Sequence, residues 1–84
     1  MPINFLKTVA KLEGRCEVDE AETLFEWLQE HPGGRVNLKE CQALHAAVVQ
    51  VLMALKPPIS VAPDDKALQR WLMPVVAPEG VREG

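Results

Sequence analysis

Between Leu44 and Leu55 the chain reads LHAAVVQVLMAL, and only His45 and Gln50 of these twelve residues are polar. The run stops at Lys56, before Pro57 and Pro58. A residue that precedes proline resists the helical conformation, so the spacing predicts a helix over 42–56. A helix with no charge along its length must be covered over most of its circumference. The chain has 84 residues to do this with. That is enough for one domain, which buries only about 60–65% of the surface its unfolded chain exposes. Each apolar element must therefore pack on another.

Steps of 100° per residue divide this helix into three arcs. Leu44, Val48, Val51, Leu52 and Leu55 share one arc, which faces a sheet. Ala43, Ala47, Gln50 and Ala54 form a second, of small residues. His45, Val49, Met53 and Lys56 form the third, with Ala46 beside it. Two readings follow. In one, neighbouring helices cover both side arcs. In the other, Ala46, Val49, Gln50 and Met53 stay exposed as a docking patch, because uncovered apolar surface marks interaction sites and Met adapts to varied partners.

The rest of the chain supplies partners for the apolar arc. VDEAETLFEWLQEHPGG, from Val18 to Gly34, is an amphipathic helix with a Pro-Gly-Gly end. Val18, Ala21, Leu24, Phe25 and Leu28 fall on its apolar arc, with Glu22, Glu26 and Glu30 on another side. Trp27 lies about 100° from the centre of that arc. It is either a residue at the edge of the core or an aromatic anchor for a partner. INFLKTVAKLEGRC forms one or two short strands broken at Gly14. RVNLKE and ISVA are short strands, and Asp64–Asp65 cap a last helix carrying Leu68, Trp71 and Leu72, which Pro74 ends. The expected order is strand, helix, strand, helix, strand, helix. It predicts an α/β fold: a small mixed or parallel single-layer sheet backed by helices. Residues 1–76 make the domain and 77–84 a frayed tail.

Charge narrows the function. The net charge is −3, and seven acids between Glu13 and Glu30 share that stretch with a single base, Arg15. Nucleic-acid binding needs the opposite balance. No apolar run approaches the ~20 residues of a membrane span, and no charged-then-apolar leader opens the chain. These features suggest a cytoplasmic protein. Cofactor loops, zinc-protease helices and nucleophile elbows are missing. Ser60, Thr8 and Thr23 are the only hydroxyl residues, and there is no tyrosine. Cys16 and Cys41 lack CxxC spacing and read as free, packed thiols. With His31 and His45 they make a scattered zinc set without close ligand pairs. Cys16 or Cys41 with His45 makes a thiol–imidazole pair for a small thiol enzyme, a rival reading.

From Glu13 to Leu55 the sequence resembles the STAS family, the sulfate transporter and anti-sigma-factor antagonist domains. Agreement is weaker onward to Trp71. Family members show a glycine-bounded strand end and an A..L...L helix, then a strand reading VDLS. The motif hxxhDSSGhxxLhxA (h apolar) opens the next helix. RVNLKE stands where that strand belongs, with Asn37 for its acid. His45 takes the place of the motif's Asp, Ala46 that of the phosphorylatable Ser or Thr, Ala47 the second small residue and Val48 the Gly. Gln50, Leu52 and Ala54 fit the remainder.

The resemblance implies a STAS-like α/β binding module, not an enzyme, without cofactor or metal, in a bacterial signalling context. Its partner would be an anti-sigma-factor kinase, another signalling protein or a transporter subunit. The expected contact surface is His45, Ala46, Val49, Gln50 and Met53, with Trp27 in its anchor reading. The departure lies at Ala46. A methyl group cannot accept phosphate, and no Ser or Thr lies between Thr23 and Ser60. The expected module thus lacks the charge switch of about −1.5 to −2 that phosphorylation supplies. His45 is open to three readings: a helix-start residue partly buried against its neighbours, a pH sensor, or a phospho-acceptor or ligand. A structural subunit that self-assembles, as a homodimer or larger, through the apolar helix is the alternative.

Overall fold

The structure is a computed structural model and describes residues 3–81. The chain begins with a hairpin, β1 (Ile3–Phe5) and β2 (Val9–Leu12), closed by Leu6 N–H bonding Val9 carbonyl at 2.8 Å. β3 (Gly14–Cys16), helix α1 (Val18–Glu30), β4 (Arg35–Asn37), β5 (Cys41–Leu44), α2 (Ala46–Leu55), β6 (Ile59–Val61) and α3 (Lys66–Val76) follow. β1, β2, β4 and β6 form one mixed sheet in that order; only the β1–β2 pair is antiparallel. The α/β class and the mixed sheet agree with the sequence reading.

Period-two alternation sets the sheet's inner face. Ala10, Leu12, Val36, Leu38 and Ile59 are buried, while Val9, Lys11, Arg35, Asn37 and Ser60 between them are only partly so. The register places Ala10 beside Val36 and Val36 beside Ile59. Leu24 and Leu28 of α1, Val48 and Leu52 of α2, and Leu68, Leu72 and Val76 of α3 join these residues in one core. No helix among the described residues is long and apolar enough to cross a membrane.

The N-terminal segment makes three strands instead of one or two, with Gly14 opening β3, and β5 adds another strand before α2, so the simple strand–helix alternation does not hold. Four further details differ from the sequence reading. First, Cys41–Leu44 is a strand, not the first turn of the second helix. It pairs in parallel with β3 in a separate two-stranded sheet. Leu44 therefore leaves the helix's core arc, and Ala43 leaves its small-residue arc. The pairing is non-local, and tertiary pairing overrides a local helical pattern. Second, the buried arc of α1 is Ala21, Leu24, Trp27 and Leu28. It is rotated toward Trp27, so Val18 and Phe25 are exposed. Third, Pro74 lies inside α3. The helix runs on to Val76 because that residue is buried in the core and Ala77 N–H bonds Met73 carbonyl at 2.8 Å. A proline costs a helix one hydrogen bond, and here the next turn is anchored elsewhere. Fourth, the expected tail starts with a turn, in which Gly80 N–H bonds Ala77 carbonyl at 2.9 Å. Ala77 packs on the core, and residues 82–84 lie outside the described part.

Candidate functional site

β5 runs straight into the start of α2, and His45 is the joint. Its backbone is extended, at φ −63° and ψ 148°. Its N–H bonds the Cys16 carbonyl at 2.8 Å, which fixes it to β3. Its ring Nδ1 accepts the N–H of Ala47 at 3.0 Å, satisfying one of the open donors of the helix start. Its carbonyl accepts from Val48 at 2.9 Å and Val49 at 3.2 Å. Of the three readings of His45, the helix-start role describes this geometry. His45 itself is exposed, not partly buried as that reading expects.

α2 then shows two faces. Val48 and Leu52 are buried, and Val51 and Leu55 are partly buried beside them. Ala47 and Val49 lie at the borders, also partly buried. Ala46, Gln50, Met53 and Ala54 are exposed, Met53 by 49%. At 100° per residue these four fall on one arc of about 100°. α2 packs on α1 and on α3, yet neither neighbour covers this arc. The result is a solvent-facing strip with no charge from Ala46 to Leu55. Ala54 belongs to it, although spacing alone places it in the small-residue arc.

Trp27 is elsewhere engaged. It is 8% exposed, and its ring stacks on His31 with centroids 4.4 Å apart and meets Phe5 at 5.4 Å. His31 Nδ1 is 2.8 Å from the Trp27 carbonyl, so the imidazole also closes the end of α1. Gly34 lies against the same ring; a Cβ there would sit 2.7 Å from it. The core-edge reading describes this tryptophan, which ties α1 to β1 and offers little surface to a partner.

The two cysteines are free and buried, each 1% exposed. They stand on adjacent parallel strands, β3 and β5. The hydrogen bond to Cys41 pushes the Cys16 thiol far up, with burial acting in the same direction; the same bond lowers Cys41. Cys41 Sγ also lies 3.7 Å from the Ala43 carbonyl oxygen. The His45 ring Nδ1 is taken by the Ala47 N–H, while both thiols are buried in the core. The four scattered zinc candidates separate likewise: two thiols in the core, His31 on Trp27 and His45 on the cap. Among the described residues no three His, Cys, Asp or Glu groups gather as metal ligands.

One concavity borders α2, and a second lies at the start of β5. A groove of about 340 Å³ runs between the C-terminal ends of α2 and α3, with Met53, Pro58, Val75 and Pro78 in its walls. An open recess of about 490 Å³ lies at the start of β5, bounded by Lys39, Glu40, Cys41, Gln42, Asp64 and Asp65. No protein-family model matches the chain, and no curated protein is similar enough in sequence to count as a relative.

Proposed function

We propose that the chain is a non-enzymatic, cytoplasmic, protein-binding regulatory module of the STAS type, docking its partner through the start of α2. The observation that carries this reading is the uncharged exposed strip of Ala46, Gln50, Met53 and Ala54, with Val49 at its edge. A soluble surface helix normally carries charge on its wet face. A strip without charge costs little to desolvate against a partner. Support also comes from where the strip begins. β5 delivers His45 to the cap of α2, the position the family motif gives to its acid, and Ala46 opens the helix where the motif has its hydroxyl. The partner class is an anti-sigma-factor kinase, another signalling protein or a transporter subunit. Binding here is not switched by phosphate, since α2 has no hydroxyl group.

The test is to purify the protein with its partner from the native host and map the contact by amide chemical shifts. The expected footprint covers His45, Ala46, Val49, Gln50 and Met53. A footprint that spares 41–53 overturns the reading, and stoichiometric phosphate on α2 overturns its phosphate-independence. A second reading, self-assembly through α2, draws on Met53 and Val75, which line one groove and are both exposed. Sedimentation across a concentration series separates the two: a strict monomer favours a different partner.

A further inference from the structure

Beneath the exposed start of α2 lie two thiols with no part in docking. Cys16 ends β3 and Cys41 begins β5, and both point into the core from adjacent parallel strands. We propose that Cys16 and Cys41 form a reversible intramolecular disulfide under hydroperoxide oxidants, and that closing it displaces β5 and His45 and so alters the start of α2. The bond is independent of the docking reading; its regulatory meaning rests on that reading.

Three features of the site support the bond. The first is placement: both cysteines are buried in one core and stand on adjacent parallel strands. The second is access. Cys41 is 1% exposed but lines the open recess at the start of β5, which is where a small oxidant reaches it. The third is the division of labour between the sulfurs. Cys41 lines the recess and Cys16 does not, so an oxidant entering there meets Cys41 first. Its thiolate is the attacking form.

The chemistry balances with the hydroperoxide as the only oxidant. Cys41 sulfur attacks one peroxide oxygen and the O–O bond breaks. The other oxygen leaves and, with a proton, becomes an alcohol, or water when the oxidant is hydrogen peroxide. Cys41 is then a sulfenic acid. Cys16 sulfur attacks Cys41 sulfur, and the hydroxyl departs with the Cys16 proton as water. Two thiols have lost two hydrogens and two electrons, and the hydroperoxide has gained them. A dithiol reductant reverses the bond by exchange.

The switch follows from register. Cys41 pairs with Gly14, and Cys16 pairs with Leu44. With strands about 4.8 Å apart and a rise of about 3.3 Å per residue, this diagonal sets the two α-carbons about 8 Å apart. A disulfide spans no more than about 7 Å without backbone movement. The slack is at hand: Arg15 pairs with Ala43, which leaves Gln42 as an extra residue in β5. Movement there reaches the cap of α2, because His45 N–H is held by the carbonyl of Cys16 itself.

The experiment treats the purified protein with hydrogen peroxide and blocks remaining thiols with N-ethylmaleimide under denaturing conditions. Intact mass, peptide mapping and amide spectra are then read. The expected result is a loss of about 2 Da without label, with the two cysteine peptides linked. Dithiothreitol should restore both thiols, and the amides of His45, Ala46 and Ala47 should shift on oxidation. In Cys16→Ala, a sulfenic acid trapped by dimedone at Cys41 is expected. Wild-type protein that takes up label at both cysteines after oxidation overturns the proposal. So does sulfinic acid at Cys41 beside a free Cys16, or a disulfide between molecules. A bond that forms while Ala46 and Ala47 stay unmoved overturns the switch and leaves the docking reading to its own footprint test.

Discussion

The N–H of His45 bonds the carbonyl of Cys16 at 2.8 Å, while the His45 ring accepts from Ala47 at 3.0 Å. One residue thus joins the small β3–β5 sheet to the first turn of α2. The helix has no acidic residue in that turn to favour its N-terminal dipole, so the cap carries more of the burden.

His45→Ala removes the ring acceptor and leaves the Ala47 donor to water. The expected loss is about 0.5–2 kcal/mol in urea unfolding, with an unchanged slope. His45→Asp restores an acceptor and adds a charge that suits the helix start. It should recover at least wild-type stability. If His45→Ala and wild type unfold at one midpoint, the cap contributes nothing.

Gly34 and Gly33 make a matched pair. A methyl group at Gly34 meets the Trp27 ring at 2.7 Å and the His31 carbonyl at 3.0 Å, whereas at Gly33 nothing lies within 4 Å. Gly34→Ala should cost about 1–3 kcal/mol, the usual range for overpacking, and should change tryptophan fluorescence. Gly33→Ala should stay within about 0.5 kcal/mol of wild type, as surface changes do.

Lys56 ends α2 in the left-handed region, at φ 51°, with its N–H on the Leu52 carbonyl at 2.9 Å. Glycine takes this conformation without the side-chain clash, although it gives the unfolded chain more freedom. Lys56→Gly should raise stability by about 0.5–1 kcal/mol. A lower melting temperature for this variant would contradict that reading of the turn.

The residues that sequence placed correctly are those governed by local spacing. Leu24, Leu28, Val48 and Leu52 fall on helical arcs and are buried. Val36 and Leu38 alternate with polar neighbours and line the sheet. The errors came where a distant segment decides. CQAL continues the apolar pattern of the helix behind it, and only pairing with β3 makes it a strand. The placement of Cys16 and Cys41 on paired strands is hidden for the same reason, since no spacing in the sequence links them. Val18 and Phe25 suit α1's apolar arc, yet the stack of Trp27 on His31 and Phe5 turns the helix away from them. At the site, the missing charge was visible in LHAAVVQVLMAL. That no described residue covers the outer arc depends on how far α1 and α3 reach around α2.

That uncovered arc gives a contrast between neighbours on one helix. Leu52 is fully buried among the core side chains, so Leu52→Ala should cost about 2–5 kcal/mol. Ala46 and Gln50 face solvent, so Ala46→Glu and Gln50→Glu should change unfolding by no more than about 0.5 kcal/mol. An added carboxylate at Ala46 sits in the first turn and should be mildly favourable there. The same two variants place charge in the middle of the proposed docking strip. Against a partner recovered from the host they should weaken binding at least about tenfold, the cost of burying an unpaired charge. Folded variants that bind as wild type would remove α2 from the interface while leaving the fold as described.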